Sequence, residues 1–307
     1  MRVYNRQFDE TQKDYQKMWA FLVDDYADKQ DHFIWTIGRL GEWPNSLSHL
    51  YGRFFPSLMR NNAQLWFNNI EELVGFVISE NGNADFYVLA RRGHEFLYHE
   101  MIEWVKANWG DRLGGFVTYA DESQLALARA LEKSGFHRGK ISEVSRQYDL
   151  QSMDIQEPLL PEGVVVKDMF AYPNEIGSIL VGENAWHNRN EVSDYDIVRY
   201  KFRRENPCYF PHLDIYAENG DGLVIANCNA FVDYKNNYAE IERVCTHNEH
   251  RKKGLASAVI TECMRRLRDE GVKYAYISGS SEAAINLYGK FEFSACRNWH
   301  KFSLLFS

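Results

Sequence analysis

The chain has 307 residues, 45% hydrophobic and 25% charged, which excludes disordered, collagen-like and disulfide-scaffold classes and fits about two domains. Lys+Arg 35 against Asp+Glu 43 leaves a net charge of -8. That balance argues against a nucleic-acid partner, which needs basic tracks along phosphates, and is compatible with a cationic substrate. No apolar run reaches the ~18 residues of a membrane span, and the N-terminus lacks an apolar targeting core. The five cysteines, Cys208, Cys228, Cys245, Cys263 and Cys296, show no C-x-x-C spacing. They read as reduced thiols, so the expectation is a cytoplasmic protein with no membrane partner, monomeric or homodimeric.

In chain order, a strand at Val3–Phe8 leads to a helical stretch around Asp14–Asp28. Strand signals follow at Leu73–Ser79 and Phe86–Ala90, then an amphipathic helix and a closing Lys133-Ser-Gly-Phe136. Pro158, Pro161 and Gly163 interrupt the pattern, which sets a linker at 150–163 between domains at 1–149 and 164–307. The second half repeats the plan: Val164–Met169, a helical stretch around Asn174–Asn184, strands at Leu223–Asn229 and Tyr238–Thr246, a helix, and Lys290-Phe-Glu-Phe293. The repetition points to one α/β domain with a mixed sheet, written twice.

Tyr238–Glu270 is the informative stretch. Tyr238, Glu240 and Glu242 share one face of a strand. In the helix that follows, Ala256, Val259, Ile260, Cys263, Met264 and Leu267 fall on one face, Arg265, Arg266, Arg268 and Asp269 face away, and Gly271 is a stop signal. Arg251, Lys252 and Lys253 stand at the positive end of the helix dipole, an unfavourable placement unless an anion sits there. Gly254 lets a phosphate approach the backbone and Ala256 keeps the first turn small, so a diphosphate is the natural guest. Neither a G-x-x-x-x-G-K-[ST] loop nor a G-x-G-x-x-G turn after a strand is present.

These residues resemble the GNAT acetyltransferases, whose acyl-CoA signature [RQ]-x-x-G-x-[GA] is filled by Arg251, Gly254 and Ala256. Ala284-Ile-Asn-Leu-Tyr288-Gly-Lys-Phe-Glu-Phe293 resembles the family's A-x-x-L-Y-x-x-x-G-F element, with Glu292 in place of the glycine. The doubled layout is similar to the tandem members, the group that includes mycothiol synthase. The resemblance implies two tandem acyl-CoA N-acyltransferase domains, acetyl-CoA as donor cosubstrate, no metal, and a small-molecule amine acceptor. It implies that Val244, Cys245 and Thr246 border the pantetheine arm, the first and last through their backbone. Arg251, Lys252, Lys253, Gly254, Leu255 and Ala256 would hold the pyrophosphate, and Ser281 stands where many members have a cofactor-touching Asn. Tyr288 would protonate the leaving thiolate, with Glu240 as general base and Glu242 as the second candidate. The alternatives are a non-catalytic acyl-CoA-binding regulator and an acetyltransferase of a peptide or protein amine.

The first half carries Arg91-Arg-Gly-His-Glu95 at the matching junction, where Glu95 puts a carboxylate against the phosphate position. Leu131 falls where the second half has Tyr288. The first domain therefore reads as degenerate and non-catalytic. His247 and His250 lack a third ligand and read as loop residues. Packing is the better reading for the Cys245 side chain and for Trp35, Trp43 and Trp66, and Lys201–Arg204 reads as a solvated face.

Overall fold

The computed structural model describes residues 2–29, 35–50, 56–112 and 114–305. Its first elements are β1 (Val3–Gln7), α1 (Asp14–Lys29), α2 (Ile37–Leu50), α3 (Pro56–Asn62), β2 (Ala63–Asn68), β3 (Leu73–Ile78) and β4 (Tyr87–Ala90). They are followed by α4 (Tyr98–Trp109), β5 (Phe116–Asp121), α5 (Leu125–Lys133) and β6 (His137–Asp149). Then come β7 (Val165–Asp168), α6 (Glu175–His187), α7 (Asp194–Arg204), β8 (Tyr209–Glu218), β9 (Val224–Asp233) and β10 (Tyr238–Thr246). The chain closes with α8 (Leu255–Asp269), β11 (Tyr274–Gly279), α9 (Glu282–Tyr288) and β12 (Ala295–Leu304).

The chain divides into two units, residues 1–144 with 297–307, and residues 145–296. This division differs from the one drawn at the proline-rich stretch. β6 leaves the first unit at Val144 and enters the second at Ser145, and most of β12 belongs to the first unit. Proline and glycine mark where regular structure stops, but strand pairing decides which unit a segment completes. Tyr148 of β6 and Leu150 just after it are buried in the core of the second unit with Val272 and Ile277.

In the first unit, β1 to β4 form an antiparallel sheet in that order. Every residue of β2 and β3 is buried, as expected for apolar runs covered on both faces. β12 pairs antiparallel with β5, from Trp299 opposite Asp121 to Leu304 opposite Phe116. Trp35, Trp43 and Trp66 are buried; the Trp43 indole donates to the Ser79 carbonyl at 2.9 Å. They are packing residues.

In the second unit the order is β11-β10-β9-β8-β7, with β10 parallel to β11 and the other pairs antiparallel. Ala239 and Ile241 of β10 pack toward Val259, Cys263 and Leu267 of α8. Cys245 packs on the opposite side with Ile179 and Val181 of α6 and Tyr200 of α7. The buried stripe of α8 runs through Leu255 and Ala258 rather than Ala256, which is only partly covered. Gly271, in the left-handed region at φ 82°, ends that helix as its position implied. Arg266 is no solvent-facing residue. Its guanidinium donates to Asp168 Oδ2 at 2.7 Å, to the His212 carbonyl at 2.8 Å and to Glu262 Oε1 at 2.7 Å. That ties α8 to β7 and β8.

The five cysteines form no disulfide, and only Cys296 is exposed. Among the described residues no helix is long and apolar enough to cross a membrane.

Candidate acyl-donor site

β10 and β11 stay paired only from Tyr238 opposite Tyr274 to Glu240 opposite Tyr276. Beyond Glu240 the two strands part. The cause is local: the register with β9 shifts between Glu242 and Cys245, and Arg243 there takes φ 57°. A bulge of this kind bends its strand away from a neighbour. No glycine marks the position, so the sequence carries no warning of it.

The gap becomes a groove of about 740 Å³. Val244, Cys245 and Thr246 form one lip; Ser281, Leu287 and Tyr288 form the other; Gly254, Leu255 and Ala256 close one end. The edge of β10 facing β11 has lost its strand partner at Val244 and Thr246, while Cys245 and Thr246 stay in register with β9 on the other side. An extended amide-bearing chain laid in the groove would find backbone partners there.

At the closed end α8 begins without a side-chain cap. Its first ladder bond runs from the Ala258 amide to the Gly254 carbonyl at 3.0 Å, so the amides of the preceding turn are outside the ladder. Lys252 (φ 62°) and Gly254 (φ 79°) both adopt positive φ, a backbone shape that gathers successive N–H groups into an anion-binding concavity. A Cβ built on Gly254 would meet nothing within 4 Å, so the space in front of it is open. Lys252 and Lys253 are exposed beside it. These features fit a pyrophosphate. Arg251 lines the groove, but its guanidinium donates to the Ala185 carbonyl at the end of α6, 2.8 Å away.

Tyr288 is buried at the last turn of α9, where its carbonyl accepts from the Tyr148 hydroxyl at 2.8 Å. Burial, then the nearby Glu242 charge, pushes its hydroxyl well above the ordinary tyrosine range. It therefore keeps its proton at neutral pH, the state a proton donor needs. Glu240, 4% exposed, lies where β10 is still paired on both sides. Glu242 is less buried and stands at the bulge, opposite Asn229 of β9. Burial pushes the Cys245 thiol up to about 12, which keeps it from serving as a thiolate nucleophile. Ser281 caps α9, accepting from the Ala284 amide at 3.2 Å.

Some lining residues escaped the sequence reading. Ala185 and Trp186 reach the groove from α6. An asparagine cluster holds that end in place: the Asn248 amide donates to Asn184 Oδ1 at 2.7 Å, and Asn248 Nδ2 to the Asn184 carbonyl at 2.8 Å and Asn188 Oδ1 at 2.9 Å. Asn188, in the left-handed region that Asn tolerates, ends α6 there. The His247 and His250 rings meet edge to face at 5.4 Å, and the described residues hold no group of three or more metal-ligating side chains.

The matching junction of the first unit is built differently. Gly93 has φ 84°, but Arg91 lies 3.9 Å from Asp24 and 3.7 Å from Glu72, and Arg92 lies 3.6 Å from Asp28. A single 3-10 turn, Glu95–Leu97, separates the junction from α4. Leu131 is fully buried in the core.

Residues 176–293 match the sequence model of the acetyltransferase (GNAT) family. The uncharacterized N-acetyltransferase CgeE of Bacillus subtilis (strain 168) is 23% identical over 171 residues. That match covers 48% of this chain and 66% of the relative, so the chain spans a little under two thirds of the relative's length. A GCN5-related N-acetyltransferase from Sphaerobacter thermophilus superposes with TM-score 0.66 at 15% identity, over 99% of this chain and 96% of its own. A tandem GNAT protein from the clavulanic acid biosynthesis pathway gives 0.65 at 15% identity, over 100% and 99%. At such identities the likeness is one of fold, and the tandem layout is part of it.

Proposed function

We propose that the chain transfers an acetyl group from acetyl-CoA to the primary amine of a small molecule, by direct transfer with both substrates bound to residues 164–296. The observation that carries this reading is the continuous groove from the uncapped start of α8 to Tyr288. When bound, acetyl-CoA supplies the thioester whose C–S bond is exchanged for a C–N bond to the amine. The amides of Lys252 to Ala256 hold the pyrophosphate, with Lys252 and Lys253 adding charge. The exposed backbone of Val244 and Thr246 aligns the pantetheine amides. An alkylammonium titrates near ~10, so it must lose a proton before it attacks. Glu242 takes that proton, directly or through water; its influence on Tyr288 favours it over the more enclosed Glu240. Tyr288 gives its hydroxyl proton to the departing sulfur and is restored by the second proton that the nitrogen sheds as the amide forms. Positioning supplies most of the rate, as expected when both reactants are held together. The first unit is non-catalytic.

Thiol release from acetyl-CoA, measured against a panel of small amines and peptides, tests the reading. Turnover with small amines that falls in Tyr288→Phe and Glu242→Gln supports it. Acetyl-CoA binding without turnover on any amine overturns it in favour of a regulator, and turnover confined to peptides changes the acceptor class.

A further inference from the structure

β9 encloses a polar side chain that nothing completes. Asn229 is fully buried, and neither its Nδ2 nor its Oδ1 has a hydrogen-bond partner among the described residues. Its neighbours Cys228 and Ala230 pack into the core beneath α8, so the Asn229 side chain points to the opposite face of the sheet. Ala239 and Ile241 of β10 pack into that same core, which leaves Glu240 and Glu242 on the face of Asn229. A buried polar group without a partner is costly, and native proteins hold few of them. An apolar side chain of similar size would fill the place at less cost, so packing alone does not account for an asparagine there.

Strand register shows what it faces. Asn229 stands directly opposite Glu242 of β10 on one side and directly opposite Asp214 of β8 on the other. Residues opposed in this way carry their Cβ atoms about 4.5–5.5 Å apart, within reach of a side-chain hydrogen bond. Both oxygens of Asp214 already accept, one from Asn227 Nδ2 and one from the Tyr209 hydroxyl, each at 2.8 Å. Glu242 differs. It is only half-buried, stands at the bulge, and lies near enough to Tyr288 for its charge to act on that hydroxyl.

Resting on the transferase reading above, we infer that Asn229 is the positioning residue of Glu242. An amide has donors at one end and an acceptor at the other, so one side chain serves the carboxyl in both of its states. Ionised Glu242 accepts from Asn229 Nδ2. Once Glu242 has taken the proton of the amine, its O–H donates to Asn229 Oδ1 after a half-turn of the amide. The carboxyl is thereby held in one place while its charge changes. The bond to the charged acceptor is the stronger of the two, so the pair favours the ionised base. The charged and titratable groups that face this row are Glu240 and Arg243 on β10, Asp214 on β8, Arg203 of α7, Glu183 of α6 and Tyr288 of α9. All of them stay in place when Asn229 alone is changed.

The test is Asn229→Leu in the full chain, a nearly isosteric exchange that removes both polar ends. Its melting temperature should equal or exceed that of the wild type, because an apolar group replaces an unpartnered amide. Thiol release from acetyl-CoA should nonetheless fall about tenfold in kcat, with KM for acetyl-CoA within twofold, and the acidic limb of the pH profile should rise by about one pH unit. The Glu242 carboxyl, followed by carbon NMR of glutamate-labelled chain and assigned through Glu242→Gln, should titrate about one pH unit higher in Asn229→Leu. That measurement needs no acceptor and no turnover. Should the leucine variant misfold, Asn229→Val and Asn229→Thr decide. The two are nearly isosteric and only threonine keeps a hydroxyl that donates and accepts, so Glu242 should titrate lower in the threonine variant. An unchanged Glu242 titration, an unchanged kcat in a chain that turns over, or activity lost only in step with melting temperature overturns the inference. A shifted Glu242 titration in a chain that acetylates no amine upholds the pairing and overturns the transferase reading instead.

Discussion

The two strand-to-helix junctions, β10 into α8 and β4 into α4, began from one plan and ended in opposite electrostatic states. Both have basic residues before a glycine of positive φ. In the first unit Asp24 and Asp28 of α1, with Glu72, lie against Arg91 and Arg92. In the second unit Lys252 and Lys253 are exposed beside an uncapped 15-residue helix. A glycine and a cation therefore do not make an anion site; the first turn of the helix must also be free and the acids kept away.

The comparison can be broken most directly at its glycines. Gly254→Glu puts a side chain and a negative charge into the open space of the cradle, and acetyl-CoA affinity should fall by about 100-fold or more. Gly93→Glu should leave it unchanged, and the wild-type chain should bind one acetyl-CoA. Two molecules per chain, or equal losses from both variants, would show that the first unit keeps a working cradle. Next comes the pair at the closing helices. Tyr288→Phe should lower kcat about 10- to 100-fold with acetyl-CoA affinity preserved, as expected for a general acid. Because the Tyr288 hydroxyl is pushed above its ordinary range, wild-type activity should not fall through pH 9 to 10 by loss of this proton. Leu131→Ala should instead cost about 2–5 kcal/mol of stability with little effect on acetyl-CoA binding by the folded protein.

A smaller effect is expected at Arg266. Burial works against the Asp168 charge, but the Ala171 amide and Arg266 hold its carboxyl below the usual carboxylate range. That contribution is complete above the unfolded aspartate value of about 3.9 and is lost as pH falls through the lower folded value. Arg266→Ala should therefore destabilise the second unit by about 1–3 kcal/mol at pH 7, with the deficit shrinking near pH 3 in urea melts. The smallest is Ser281→Ala, which removes the cap of a seven-residue helix and should cost about 1 kcal/mol with acetyl-CoA affinity within twofold.

Much of the candidate site's lining was legible because it depends on local chemistry. Gly254, Ala256 and the cations before them announce a free helix start, and Tyr288 is singled out by the family resemblance of the closing element. The parting of β10 from β11 was implied by the family resemblance alone, as a splay beside Val244 and Thr246, and not by any local residue signal. It rests on a bulge at Arg243, a residue with no intrinsic taste for positive φ, imposed by tertiary context. Glu240 and Glu242 share a face by alternation, yet their different cover comes from where the strand pairing ends.

The exchange of terminal strands bears on how the chain is made. The first unit lacks a strand until residues 297–304, which follow the whole of the second unit along the chain, pair with β5. Its N-terminal 144 residues must wait, with an unpaired edge exposed, while the second unit is synthesised. A cut in the 150–163 stretch would separate neither unit whole: one piece would lose its last strand and the other the strand at 145–149. β12 thus acts as a clasp, and deleting residues 297–304 should harm the unit at 1–144 before the one in which acetyl transfer is proposed.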